Sequence, residues 1–346
     1  MYQWLRKGLF QLSPETAHEL AMESLKFGGH FGLPRLYAGT PVSDPFELMG
    51  LEFPNRIGLA AGLDKNGDYI DALGQLGFGH LELGTVTPEP QPGNPQPRMF
   101  RIQPAEAIIN RMGFNNSGVD HLVKRLTERR FDGIVGANIG KQKDTPVDQA
   151  VEDYLYCLEK VYPHCDYVAI NISSPNTENL RRLQDTTPLT ALLQALVEAG
   201  AGHARECGQT RPLVVKIAPD WSEAELRASL EIIGNSGIDG LIATNTTLAR
   251  DAVAGLPHAA EAGGLSGRPL LEPANRVLVI AREVLGPGFP IIGSGGVMSA
   301  DDAVAKLDAG ADLVQLYTGF IYHGPTLIRD CARALAKHDQ ADDARD

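Results

Sequence analysis

Short apolar runs recur along the chain, separated by helix-favouring segments. The runs are Arg56–Ala60, His80–Gly84, Ile134–Ile139, Tyr167–Ile172, Leu213–Ile217, Gly240–Thr244, Pro290–Gly293 and Leu313–Tyr317. Most are continuous in Val, Ile and Leu rather than alternating, the pattern of strands covered on both faces. Helical stretches follow at Tyr69–Leu76, Val119–Thr127, Val147–Val161, Glu223–Ile233, Pro273–Val284, Ala300–Ala309 and Pro325–Leu335. Thr190–Ala204 lies between the fourth and fifth runs. Eight strands with helical crossovers close most simply into a (β/α)8 TIM barrel. An open doubly wound sheet would place GxGxxG directly after an early strand. The first run instead leads into Gly58-Leu59-Ala60-Ala61-Gly62-Leu63-Asp64-Lys65, which lacks that spacing.

Two stretches fall outside the repeat, dividing the chain into 1–36, a barrel over 37–337, and an acidic tail over 338–346 expected to fray. In the first, Tyr2, Leu5, Leu9 and Leu12 recur at helical spacing. Ser13-Pro14 then starts a second helix as cap and first residue. Ala17, Leu20, Ala21 and Leu25 form its apolar stripe, opposite Glu15, Glu19 and Glu23. The pair reads as an amphipathic helical hairpin. Trp4, Arg6 and Lys7 suit an anionic membrane surface, and a helix pair docked on the barrel fits the same pattern.

Composition narrows the classes. Lys plus Arg number 31 and Asp plus Glu 43, a formal charge of -12, which disfavours nucleic acid as the main partner. No apolar run approaches the roughly 18 residues of a membrane span. The start lacks the h-region of a secretory signal. Four cysteines without a CxxC pair suggest free thiols, and no histidine pattern suggests a metal.

Polar residues gather at the C-terminal ends of the runs, the face on which a barrel builds its site. Lys65, Thr85 and Asn138 follow the first three. Asn171, Ser173, Ser174 and Asn176 follow the fourth, Lys216 ends the fifth, and Thr244, Asn245 and Thr246 end the sixth. Gly293-Ser294-Gly295-Gly296 and Tyr317-Thr318-Gly319 end the last two. The glycine turn, with Gly264-Leu265-Ser266-Gly267, suits close approach to a phosphate, though a tight βα turn has the same sequence. Lys216 could face an electron-accepting ring, form a Schiff base, or snorkel. Lys65 could equally make a rim salt bridge to Asp64. Asn110-Arg111-Met112-Gly113-Phe114-Asn115-Asn116 is dense in amides that can both donate to and accept from a planar ring. Ser174 sits in no GxSxG elbow, so a hydrolase triad is unsupported.

Five segments together resemble the dihydroorotate dehydrogenases of class 2, the quinone-dependent, membrane-associated class. They are Gly58 to Asn66, Glu82-Leu83-Gly84-Thr85-Val86-Thr87, Asn110 to Asn115, Asn171-Ile172-Ser173-Ser174-Pro175-Asn176-Thr177, and Ile292-Gly293-Ser294-Gly295-Gly296. The resemblance implies noncovalent FMN held by Ala61, Gly62, Thr85, Asn138, Asn171, Lys216, Thr244, Gly267, Gly296, Tyr317 and Thr318. It implies dihydroorotate held by Lys65, Asn110, Arg111, Met112, Gly113, Phe114, Asn171, Asn176, Asn245 and Thr246, with Ser174 as the base. Class 1 members have a cysteine at that position. It further implies a quinone site at His18, Arg101 and Tyr317 beneath the N-terminal helices. The implied protein is a monomer on the cytoplasmic side of a bacterial inner membrane. A class 1-like enzyme, another flavin barrel acting on a planar heterocycle, and a noncatalytic FMN-binding barrel are the competing readings.

Overall fold

The computed structural model describes residues 2–177 and 180–343, without the side chains of Tyr37 and 339–343. Three helices open the chain: α1 (Tyr2–Leu9), α2 (Pro14–Gly29) and α3 (Leu33–Ala38). A hairpin of β1 (Phe46–Leu48) and β2 (Leu51–Phe53) follows. The chain continues through β3 (Ile57–Leu59), α4 (Ile70–Gly74), β4 (His80–Val86), β5 (Met99–Ile102) and β6 (Ala107–Asn110). Next come α5 (Val119–Glu128), β7 (Ile134–Ile139), α6 (Ala150–Val161), β8 (Tyr167–Asn171), α7 (Thr186–Cys207), β9 (Leu213–Ile217) and α8 (Glu223–Asn235). The remainder is β10 (Gly240–Ala243), β11 (Gly264–Gly267), α9 (Leu271–Leu285), β12 (Ile291–Ser294), α10 (Ala300–Asp308), β13 (Leu313–Leu316), α11 (Thr318–His323) and α12 (Pro325–Asp343).

Strands β3, β4, β7, β8, β9, β10, β12 and β13 form a closed barrel in that order, with β13 returning to β3. Every neighbouring pair is parallel. These are the eight runs of the sequence, and the helices between them cover the outer face. All five residues of β9 are buried, as a strand between two apolar layers requires. Inside, small residues face large ones. A Cβ on Gly58 would lie 2.0 Å from the His80 ring, and one on Gly136 would lie 2.1 Å from the Tyr167 ring. Phe53 packs with Tyr167, Ala169, Val214, Ile242, Ile292 and Leu313 in a separate apolar plug.

Outside the barrel, β5, β6 and β11 form an antiparallel sheet in the order β11-β6-β5. The periodicity does not predict it, because its strands lie outside the strand–helix alternation and β11 reads as a glycine turn.

The N-terminal helices form where expected, with a different face inward. Ser13 caps α2 by accepting from the Thr16 amide at 3.3 Å, and Pro14 is the first residue. In α1, however, Tyr2, Arg6 and Phe10 dock, while Leu5 is 59% exposed. The reason lies in α11, whose final carbonyls lack helical partners. The Tyr2 hydroxyl donates to the Ile321 carbonyl at 2.6 Å and Arg6 Nη1 to that of Tyr322 at 2.8 Å. Phe10 meets the Tyr322 ring edge-on, centroids 5.4 Å apart. In α2, Ala17 and Met22 are buried, and Leu20 of the expected stripe is half exposed. At the other end α12 continues to Asp343, taking in most of the segment expected to fray; 344–346 lie outside the described residues.

Substituting Gly136→Ala should destabilise the fold by about 1–3 kcal/mol, because the Tyr167 ring is enclosed and must be displaced. A lowered denaturant midpoint would report it; an unchanged midpoint would contradict the packing described.

Candidate active site

One cavity opens at the C-terminal ends of the barrel strands, with roughly 980 Å³ of empty space. Its lining takes in Ala61, Gly62 and Lys65 after β3, Thr85 from β4, Asn171, Ser174 and Asn176 at and after β8, and Lys216 from β9. Thr244, Asn245 and Thr246 follow β10, Gly296 follows β12, and Tyr317 and Thr318 follow β13. Asn110, Met112, Gly113, Phe114 and Gly267 come from the antiparallel sheet and its loops. Residues far apart in sequence converge because every parallel strand ends at the same mouth.

The deepest charged layer lies on the strands themselves. Glu82 is fully buried, and its Oε1 is 3.2 Å from Lys216 Nζ. Asn138 Nδ2 donates to Oε1 at 2.8 Å, Gln315 Nε2 to Oε2 at 2.7 Å, and the Tyr167 hydroxyl to Oε2 at 3.3 Å. Burial alone would raise the Glu82 carboxyl; the Lys216 ammonium and these donors outweigh it and hold it below the usual range. Lys216, 5% exposed, does not snorkel. One residue pair back along β4, burial lowers the His80 imidazole to about 4, so it is neutral.

Above this layer a polar network crosses the mouth. Asn171 Nδ2 donates to Thr85 Oγ1 at 2.8 Å, and Thr85 Oγ1 donates to Asn138 Oδ1 at 2.5 Å. Asn171 Oδ1 accepts from the Ser173 hydroxyl at 3.0 Å, and Asn245 Nδ2 donates to Ser173 Oγ at 3.0 Å. Asn176 Nδ2 reaches Asn110 Oδ1 at 3.1 Å, while its backbone amide donates to Ser174 Oγ at 3.2 Å. Phe114, at φ +53°, holds a backbone conformation rare for a bulky residue, with its side chain on the lining.

Lys65 makes no rim salt bridge. Asp64 instead accepts from the amides of Asp68 and Tyr69, at 3.0 and 2.8 Å. Burial first, then the Arg98 charge, lowers the Lys65 ammonium to about 8, which leaves it mostly protonated near neutrality. Arg98 itself pairs with Glu15 of α2 at 2.9 Å and donates to the carbonyls of Pro92 and Asn94. Asn94 Nδ2 continues to the carbonyls of Arg111 and Asn176, at 3.0 and 3.1 Å.

The rim is shaped by glycine. Gly267 and Gly296 have φ of +95° and +86°, and a Cβ on either would come within 2.2 Å of the Glu106 carbonyl oxygen or the Leu271 Cα. Two buried polar atoms on the lining, Gln315 Oε1 and Thr246 Oγ1, have no hydrogen-bond partner among the described residues. Unpaired groups beside a glycine rim fit a polar, planar, phosphorylated ligand.

Asn138 and Arg111, expected to contact cofactor and substrate, lie off this lining, as do Arg101 and His18, expected at a separate quinone site. Asn138 is one step below, under Thr85. Arg111 turns away: it pairs with Glu261 at 2.6 Å and lies over the Phe100 ring. Arg101 lies 4.5 Å from the Phe10 ring centroid and donates to the Leu12 carbonyl. His18 lies on α2, where burial and then the Lys65 charge lower its imidazole to about 4. Ser266 and Ser294 lie on the lining within the two glycine segments already singled out, whereas Leu270, Gln315 and the supporting Glu82 were not read as site residues from the sequence. A polar residue inside an apolar strand, as in Leu313-Val314-Gln315-Leu316, was the available signal for Gln315 and Glu82.

The sequence model of the dihydroorotate dehydrogenase family matches residues 45–338, most of the chain. The chain belongs to this family. Dihydroorotate dehydrogenase (quinone) of Azotobacter vinelandii is 54% identical over 336 residues, 97% of either chain. The protein of that name from Pseudomonas aeruginosa is 53% identical over the same length. Among solved structures, DHODH of Eimeria tenella in complex with ferulenol has a TM-score of 0.86 at 34% identity, covering 98% of this chain and 96% of its own. The ligand-free type from that organism gives 0.84 at 36%, covering 93% and 95%. The likeness to these family members therefore takes in the N-terminal helices as well as the barrel.

Neutral His80 links this site to acid stability. Between pH 6.5 and about 4 the unfolded chain protonates that imidazole and the folded chain does not. Acidification across this window should therefore remove up to about 3 kcal/mol. His80→Phe should flatten that part of the curve; denaturant midpoints measured against pH in both proteins check it.

Proposed function

We propose that this protein oxidises (S)-dihydroorotate to orotate as a quinone-dependent dihydroorotate dehydrogenase of de novo UMP synthesis, with FMN in the cavity and a membrane quinone as final acceptor. The observation that carries this reading is the convergence of Ser174, Lys65 and the asparagines above a buried Lys216–Glu82 pair. The residues present fit FMN. Gly267, Gly296 and Thr318 would surround its phosphate, and Ala61, Gly62, Thr85, Asn138, Asn171, Lys216, Thr244 and Tyr317 would hold the rest. FMN supplies a two-electron acceptor that can also pass electrons onward.

Dihydroorotate carries a carboxylate, and Lys65 is the cation free to pair with it. Asn110, Asn171, Asn176, Asn245 and Thr246 fix the ring through amide and hydroxyl contacts, and Met112, Gly113 and Phe114 close over it. Arg111 helps through its backbone, by anchoring Asn94. Ser174 Oγ takes the proton from C5 of the substrate. A serine is a weak base, and the donated Asn176 amide stabilises its deprotonated oxygen. Lys216 sets positive charge at the inner wall, where negative charge develops as the substrate is oxidised.

Electrons leave through the N-terminal side. No helix among the described residues is long and apolar enough to cross a membrane. The N-terminal helices and their connection nevertheless expose Trp4, Phe27, Phe31 and Leu36 at 77, 70, 68 and 78%. Such a surface suits the interfacial layer of a bilayer. We place the quinone between these helices and the barrel, near His18, Arg101 and Tyr317, and the enzyme as a monomer on the cytoplasmic face of a bacterial inner membrane.

Ser174→Ala should keep its flavin yet slow anaerobic flavin bleaching by dihydroorotate at least about 100-fold. Ser174→Cys should recover part of that rate, since a thiol ionises more easily. Bleaching by the alanine variant at the native rate would remove Ser174 from the reaction. Separately, Phe27→Glu/Phe31→Glu should lose co-sedimentation with phospholipid vesicles and quinone turnover on them, leaving flavin bleaching in solution intact. Retained sedimentation would move the membrane contact elsewhere.

A further inference from the structure

In the Glu82–Lys216 pair the carboxylate is fully enclosed in the barrel interior, while Lys216, 5% exposed, lines the floor of the cavity that the bound flavin would fill. A buried ammonium with no counter-charge gives up its proton. Here the counter-charge is Glu82, 3.2 Å away, held by donors from Asn138, Gln315 and Tyr167 on three further strands. The other titratable groups of this cluster are His80, kept neutral by burial, and Tyr167, whose hydroxyl burial and the Glu82 charge push well up. Neither can substitute as a cation or a proton acceptor. Asn138 and Gln315 do not titrate.

We propose that Glu82 is a positioning residue that acts through Lys216, keeping its ammonium charged whatever the redox state, so that the protein takes up no proton when its flavin is reduced. The proposal rests on the FMN reading above. Its balance is explicit. Dihydroorotate loses a proton from C5 and a hydride from C6. FMN, when bound, would accept the hydride with its electron pair and no further proton, and the C5 proton would pass by Ser174 to water. With Lys216 already charged, one proton appears in solution for each flavin reduced. Without Glu82 the amine is neutral beforehand and captures a proton on reduction, so none appears.

The test uses the FMN-loaded full chain and Glu82→Gln, which keeps the shape but removes the charge. In weak buffer near pH 8 with an indicator dye, anaerobic dihydroorotate should release one proton per flavin bleached in the native enzyme and close to none in E82Q. Flavin midpoint potentials measured against pH by dithionite titration should show one more proton per two electrons in E82Q than in the native enzyme. Lys216→Met and the double variant E82Q/K216M should show the native proton count, since no amine remains to titrate. Lys65 is common to every variant, so differences between them report Lys216. A native proton count in E82Q, or an extra proton in K216M, overturns the proposal. Glu82→Asp, which keeps the counter-charge, should retain the native proton count; an extra proton in E82D equal to that of E82Q overturns the proposal, and should E82Q fail to retain FMN, Glu82→Ala takes its place in the comparison. Failure of dihydroorotate to bleach the native flavin would strike the functional reading alone, because the midpoint series needs no substrate.

Discussion

The ion pair between Glu82 and Lys216 is the interaction on which the site depends. Strands covered on both faces leave a dry interior, and a dry interior tolerates charge only when it is matched and hydrogen-bonded. Five barrel strands contribute to that match: β4, β7, β8, β9 and β13 supply Glu82, Asn138, Tyr167, Lys216 and Gln315. Breaking such a pair by removing one partner strands the other, which is far more harmful than replacing both. The pair therefore ties the chemistry at the mouth to the closure of the barrel.

Polar groups become less constrained toward the opening. At the Glu82 level both carboxylate oxygens are held by donors from neighbouring strands. At the mouth Gln315 Oε1 and Thr246 Oγ1 have no hydrogen-bond partner among the described residues. Satisfied groups shape the floor and unsatisfied ones await a ligand. Ser174 stands between the two regimes, buried, with its hydroxyl oxygen accepting from the Asn176 amide.

The barrel was legible in the sequence because burial on both faces makes strands continuous and helices periodic, a signal that survives without tertiary context. The strand-end residues were legible for a related reason: parallel strands share one outlet, so polarity at their ends accumulates in one place. Other features needed partners that the sequence does not name. Arg6 points inward because α11 offers carbonyls, while Leu5 is displaced to the surface. Arg111 belongs to the right segment but finds Glu261, 150 positions away. The sheet of β5, β6 and β11 escaped notice because its strands lie outside the strand–helix alternation and β11, Gly264–Gly267, reads as a glycine turn. Glu82 was quoted only as part of a motif, since a lone acid in an apolar strand does not announce its cation.

The Glu15–Arg98 contact has a consequence for how the molecule can be dissected. From α2 the path runs through Arg98 to Asn94, and from there to the backbone of Arg111 and Asn176, beside the cavity lining of Asn110, Met112 and Asn176. The N-terminal helices that carry the exposed apolar patch are thus also a strut for the loops that line the cavity. Cutting the chain at residue 36 would strip away the surface patch and, with it, the carboxylate that neutralises Arg98 beside Lys65. A shortened enzyme would report two losses superimposed, whereas substitutions on the outer face of α2 would separate anchorage from scaffolding.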